Sequence, residues 1–263
     1  MFRLAIFTYY NIKTEGLQGK SRIWYDTSYE VSNGMRMRKK PNLAPRMERC
    51  ARVLVPQPEE LRGCWRERMP EARELYLELG CGKGRFTAGT AEQNPQALLV
   101  AIERVPDAMV IAMERACAQE LENVLFIDGD VSRLPELFGP GEVDRIYINF
   151  CDPWPGNRHS KRRLTHPDFL TRYRAVLSEG GQIHFKTDNR DLFEWSLFQF
   201  PKAGFTLSEV TRDLHRDGIC GVMTDYEEKF HNLGTPINRC VATMGPLESR
   251  EGESPEAEEK REM

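Results

Sequence analysis

The chain has 263 residues, with 37 Lys and Arg against 40 Asp and Glu and a formal net charge of −3. That length accommodates one large α/β domain with decorations or two small ones, and no stretch approaches the ~20 apolar residues a membrane-spanning helix needs. The seven cysteines are odd in number, scattered and without a C-x-x-C pair, which speaks against a zinc ribbon or thioredoxin-type motif and fits a reducing cytoplasm.

The near balance of charge hides a segregation of signs. Residues 35–52 and 158–163 are basic, whereas 248–263 are almost all Glu, Lys, Arg, Ser, Pro and Gly and read as a disordered acidic tail. The first ten residues are apolar and aromatic without an A-x-A-like cleavage site, so a signal peptide is not expected. Polar, turn-rich sequence follows as far as Asn33-Gly34, and Met35 begins a basic start. We therefore expect residues 1–34 to be a non-core extension with Met35 or Met37 as the natural initiator, 35–245 to form one domain with a basic arm, and 246–263 to be the tail.

After the arm, Glu59–Arg68 reads as a short helix stopped before Pro70. Leu75–Leu79 is a short apolar run, broken only by Glu78, that ends in the alternate glycines Gly80, Gly82 and Gly84. It reads as a buried strand turning sharply into a helix over 85–94. Glycine is required where a backbone must turn tightly and approach a ligand without a Cβ. The spacing fits neither G-x-G-x-x-G, whose third glycine would fall on Arg85, nor G-x-x-x-x-G-K-[ST]. The pattern that stands, Glu78-x-Gly80-x-Gly82-x-Gly84, resembles motif I of class I S-adenosylmethionine-dependent methyltransferases. A carboxylate at this turn would repel a pyrophosphate but suits a cationic sulfonium cofactor. The plain alternative is a tight glycine turn beside a solvated Glu.

The second strand, 97–102, ends at Glu103, about 20 residues after the glycines, where an acid can accept from both ribose hydroxyls. Its alternative is an acid favoured by the dipole of the helix that Pro106 opens. A third strand, 123–127, leads into Asp128-Gly129-Asp130, which would place Asp130 and the Val131 amide under the adenine, unless this is only an Asp-Gly-Asp turn. A fourth strand, 143–150, delivers Cys151-Asp152-Pro153-Trp154-Pro155. A helix over 168–177, a fifth strand opened by Gly180-Gly181, a helix over 191–200 and strands at 205–210 and 238–244 complete the pattern. The fold expected is Rossmann-like α/β, a mostly parallel sheet with helices on both faces.

Asp152-Pro-Trp-Pro followed by Arg158-His159-Ser160-Lys161-Arg162-Arg163 resembles the bacterial tRNA (guanine-N7-)-methyltransferase family. The opening Met35-Arg-Met-Arg-Lys-Lys-Pro, the stretch His184-Phe-Lys-Thr-Asp188-Asn, and Thr224-Asp225-Tyr226-Glu227 with Gly234-x-Pro236-Ile-x-Arg239 agree with it, in family order. The resemblance implies S-adenosylmethionine as donor and guanine 46 of the tRNA variable loop as acceptor. It places Glu78, Glu103, Asp130 and Asp152 at cofactor and active-site positions, and Asp188 with Thr224, Asp225, Tyr226 and Glu227 at substrate positions. Arg158–Arg163 falls on the RNA-contacting segment. One departure is Gly156, where many members carry a lysine.

Guanine N7 carries an in-plane lone pair and needs no base to remove a proton, so positioning and charge should dominate catalysis. Asp152 is the candidate catalytic group, on a loop stiffened by Pro153 and Pro155. Trp154 could stack on a base or lock the loop to the core; Tyr226 and Phe230 could stack or form an ordinary core pair. No metal is expected, since His159 has no partner at ligand spacing. Monomer and homodimer are not distinguishable from the sequence. A methyltransferase of small molecules or proteins would not need the basic block, a non-catalytic RNA-binding module would not need the acids, and Arg85 with Glu78 disfavours an NAD-dependent oxidoreductase.

Overall fold

A computed structural model describes residues 42–245; the expected extension, the start of the basic arm and the acidic tail lie outside them. Seven strands form one sheet in the order β3-β2-β1-β4-β5-β7-β6. They are β1 Glu74–Leu79, β2 Ala97–Glu103, β3 Val124–Asp128, β4 Val143–Asn149, β5 Leu177–Thr187, β6 Phe205–Thr211 and β7 Asn238–Met244. The first five are parallel, and β7 runs antiparallel between β5 and β6. The helices are α1 Leu43–Arg49, α2 Arg85–Gln93, α3 Pro106–Ala118, α4 Leu134–Leu137, α5 Pro167–Val176, α6 Arg190–Lys202 and α7 Asp225–Asn232.

The strand sequences explain the two layers. β2 is buried at every residue, as befits a parallel strand covered on both faces. Alternate side chains then sort into two cores. Leu75, Leu77, Leu98, Val100, Ile146 and Ile183 meet Leu134, Leu170, Tyr173 and Phe193 of α4–α6. Tyr76, Leu99, Ala101, Phe126 and Tyr147 face the other way, onto Met47, Phe86, Met109 and Met113 of α1–α3.

Two expectations are corrected. Glu59–Arg68 is not one helix but two short 3-10 turns, Pro58–Leu61 and Trp65–Arg68. Gly63 sits between them at φ 85°, and the Glu142 carboxylate takes the amides of Gly63 and Trp65 at 2.9 and 2.8 Å. A side chain from another part of the chain thus supplies what a continuous helix would have supplied. Likewise β5 starts at Leu177, ahead of Gly180-Gly181, and those glycines sit where the register with β4 shifts between Val143 and Arg145. The arm that sequence reading left without structure contributes α1, tied to α3 by Arg46 Nε on Glu114 at 2.7 Å.

β1 leads outward to β2 and β3 on one side, and β4 leads to the remaining strands on the other. Strand order therefore reverses between β1 and β4, and the crevice at their carboxyl ends is where an open α/β sheet binds its ligands.

Candidate active site

A cleft of about 560 Å³ opens there, lined by Gly80, Glu103, Asp130, Val131, Asn149 and Asp152 among others. The glycine turn builds one wall. Gly80, Gly82 and Gly84 all have positive φ, and a Cβ on Gly84 would lie 2.5 Å from the Ala112 Cβ. Glycine there lets the start of α2 close on α3. The Gly80 amide bonds the Ile102 carbonyl at 2.8 Å, folding the turn over the end of β2.

Backbone amides hold the acids that end the strands. Glu103 accepts the amides of Gly82 and Val105, each at 2.9 Å, and is 8% exposed. Each carboxylate oxygen keeps a second acceptor direction. Asp130 is exposed and accepts the Ser132 amide at 2.8 Å through one oxygen.

Glu78 is placed differently from the sequence expectation. It is 1% exposed, behind the cleft wall, where it accepts from Thr87 Oγ1 at 2.5 Å and Asn149 Nδ2 at 3.3 Å. Burial raises its pKa to about 7, against the opposing pull of those two hydrogen bonds and of Lys186. The residue in front of it is Asn149, which sequence reasoning missed. Its Oδ1 is buried without a hydrogen-bond partner, a costly state that an incoming donor would relieve. Its signal was available: a polar amide closing the fourth strand three residues before Asp152.

Asp152 itself is exposed. The loop carrying it has Phe150 at φ 53° and Trp154 at φ 41°. Aromatic residues in the left-handed region cost of order 1–3 kcal/mol each and persist only where neighbours impose them. The Phe150 amide is held by the Lys186 carbonyl at 2.9 Å. Trp154 lies under the Arg162 guanidinium, 3.6 Å from its ring centre. Burial pushes the adjacent Cys151 thiol up to about 12 and Cys81 well above its ordinary value, which disfavours the nucleophilic thiolate at both.

In the basic block, Arg158, His159, Lys161 and Arg162 are exposed and Ser160 is half-buried, all on a 3-10 stretch, Asn157–Arg162, beside the mouth of the cleft. Arg163 departs from the expectation: it is 8% exposed, its guanidinium turned into the protein beneath the loop and over Trp195. Gly156, where the family resemblance implied a lysine, has φ 80°, a conformation that suits glycine and would strain a lysine placed here.

The second substrate segment is likewise split. Tyr226 is 46% exposed and packs on Phe150 and Phe230, with ring centres 5.3 and 4.4 Å apart. Burial and then the charge of Asp188 raise the pKa of its hydroxyl, so Asp188 lies within electrostatic reach of it. Thr224 caps α7 in a capping box with Glu227. Asp225 pairs with Arg115 at 3.4 Å, and Glu228 with Arg85. Glu227 does not face the cleft: it is fully buried, bound to Lys186 at 2.7 Å and His215 at 3.0 Å. His215 Nδ1 accepts the Cys220 amide at 3.2 Å, so Nε2 carries the hydrogen given to Glu227. Burial lowers the Lys186 pKa, while Glu227 opposes that shift. Among the described residues no group of three or more His, Cys, Asp or Glu could hold a metal, and no helix is long and apolar enough to cross a membrane.

The sheet order and cleft are those of a Rossmann-like methyltransferase. A solved 16S rRNA methyltransferase, KamB, superposes with a TM-score of 0.56 at 20% identity, covering 69% of this chain and 93% of that one. The fold alone follows from that likeness. A family model described as a putative methyltransferase matches residues 72–240. The tRNA (guanine-N(7)-)-methyltransferase of Halalkalibacterium halodurans is 46% identical over 209 residues, 79% of this chain and 95% of that protein. Its namesake in Bacillus subtilis is 43% identical over 206 residues, 78% of this chain and 97% of its own length. This chain belongs to the bacterial tRNA (guanine-N7-)-methyltransferase family and is an enzyme of the methyltransferase class.

Proposed function

We propose that this protein methylates N7 of a guanine in tRNA, guanine 46 of the variable loop, with S-adenosylmethionine as donor. The observation that carries the reading is one cleft with strand-end acids at its inner end and Asp152, Lys161 and Arg162 at its mouth. The relatives' names supply the tRNA and the N7 atom.

The donor supplies a methyl group bonded to a cationic sulfur. Glu103 would hold the ribose hydroxyls with its remaining acceptor directions, and Asp130 with the Val131 amide would read the adenine edge. The orphaned Oδ1 of Asn149, backed by the Glu78 carboxylate, suits the ammonium of a cationic methionine end. These features fit the group.

No residue has to remove a proton from N7. His184, the histidine nearest the end of β5, is in any case held neutral, its pKa pushed to about 3 by burial and by Arg145, Arg239 and Lys186. Asp152 accepts from guanine N1–H or the exocyclic amine, and its charge opposes the positive charge that the base acquires. Asp188 and Tyr226 flank the same loop, offering an acceptor and a ring face. Arg158, Lys161 and Arg162 meet phosphates, which position the RNA without reading its sequence.

Methyl transfer from labelled S-adenosylmethionine to bulk unmodified tRNA, followed by borohydride–aniline cleavage at 7-methylguanosine, tests all parts together. Label with a cut in the variable loop is the expected result. Label without that cut overturns the N7 assignment, and absence of label overturns the activity.

A further inference from the structure

Arg162 and Arg163 are adjacent in a run of basic residues, yet they point to opposite sides of the same loop. Arg162 is exposed, over the Trp154 ring. Arg163 is enclosed, and its fork is spent on backbone. Nε donates to the carbonyls of Pro153 and Trp154 at 3.1 and 3.2 Å, and Nη2 donates to those of Trp154 and Gly156 at 3.0 and 3.4 Å. The guanidinium lies 4.6 Å from the centre of the Trp195 ring, on α6. The Arg163 amide is itself anchored to the Ser160 carbonyl at 3.0 Å, and two residues on, Thr165 bonds Ser196 of α6 at 2.7 Å in the core. One rigid planar group thus gathers three carbonyls of the loop that follows Asp152 and fastens them to α6. A phosphate could take Nε or Nη2 only by displacing those carbonyls.

We propose that Arg163 is a positioning residue for methyl transfer rather than an RNA contact: it imposes the left-handed turn at Trp154 and so fixes Asp152 at the cleft. This rests on the role given to Asp152 above. Lysine cannot do the same work, because an ammonium is a point donor and lacks the fork and the flat face that stacks on Trp195. The two neighbours should therefore separate by experiment. Arg162 neutralises a phosphate and contributes to the salt dependence of tRNA binding; Arg163 contributes to rate.

The test uses the full chain, unmodified tRNA and labelled S-adenosylmethionine, with Arg163→Lys, Arg163→Gln and Arg162→Gln beside the wild type. For both Arg163 variants we expect kcat to fall by about 10²-fold, the size of effect that a misplacement of ~1 Å produces. Their tRNA Kd, its salt slope and donor affinity by calorimetry should match the wild type. Arg162→Gln should instead flatten the plot of log Kd against log salt by about one unit, a defect in tRNA affinity that neither Arg163 variant shows. An Arg163 variant that flattens that plot while keeping kcat would make Arg163 a phosphate ligand and overturn the proposal. Loss of cooperative unfolding in both Arg163 variants would make it a residue of the core and overturn it as well. A wild-type chain that labels no tRNA refutes the underlying activity, whereas an active wild type with normal kcat in the Arg163 variants refutes the anchor alone.

Discussion

The two ends of the cleft are held by opposite means. At the inner end, regular backbone fixes side chains: amides at the glycine turn and at the starts of helices grip Glu103 and Asp130. At the mouth and in the segment packed behind it, side chains fix irregular backbone: Arg163 holds the carbonyls after Asp152, Lys186 holds the Val222 carbonyl at 3.1 Å, and Glu227 takes the Thr224 amide at 3.2 Å. A site of the first kind inherits its geometry from the sheet. A site of the second kind depends on a few charged groups, each of which one substitution can remove.

The contrast is most exposed at Lys186. Lys186→Met leaves Glu227 buried beside a neutral His215, and removing one partner of a buried pair costs roughly 3–5 kcal/mol. Denaturant unfolding should register that loss; a cost under ~1 kcal/mol, within the range of a surface pair, would show that the mouth does not rest on this pair. Asp152→Ala should lower single-turnover methylation by about 10²–10³-fold, the scale of one lost transition-state contact, with tRNA and donor affinity retained. Substantial activity in that variant would sink the catalytic assignment. Glu103→Ala should weaken donor binding by roughly 10- to 100-fold in calorimetry, as expected for charge-assisted hydrogen bonds worth about 1.5–3 kcal/mol, without changing tRNA affinity. An equal loss of both would blur the division between the ends.

Arg158→Ala should be milder, reducing the salt slope of tRNA binding by about one unit. The smallest signal is a proton. Because the folded pKa of Glu78, about 7, lies above its ordinary 4.5, the native state holds a proton there that the unfolded chain has released. Its contribution to stability is therefore full below pH 4.5 and lost as pH rises through 7. A cationic donor favours the ionised form, so binding near pH 6 should release up to about one proton, read by calorimetry in buffers of different ionisation enthalpy. Release that does not diminish above pH 8 would assign it to another group.

Much of the cleft was legible in the sequence because it is local. A strand, a glycine turn and an acid at the next strand end follow one another along the chain, and Gly80, Glu103, Asp130 and Asp152 do meet in one cleft. What was hidden is the direction in which a charged side chain points. Nothing in the run from Arg158 to Arg163 marks its last member as the one that turns inward; Trp195, from a helix more than thirty residues further on, decides it. Glu227, placed by the family resemblance at a substrate position, is claimed instead by Lys186 and His215, which arrive from elsewhere in the fold. Glu78 sits behind Asn149 because alternate residues of a parallel strand are covered on both faces.

The place of β7 sets an order of events during synthesis. It is the last strand made, yet it lies between β5 and β6. Until residues 238–244 leave the ribosome, β5 has an open edge and β6 has no neighbour in the sheet. Strands β1 to β4, with the glycine turn and Glu103, need nothing from that segment to pair with one another. The stretch from Thr211 to Asn238, which carries His215, Tyr226 and Glu227, is fastened at both ends only when β7 docks. A nascent chain can therefore pair the strands that carry the glycine turn and Glu103 before the stretch with His215, Tyr226 and Glu227 is fastened.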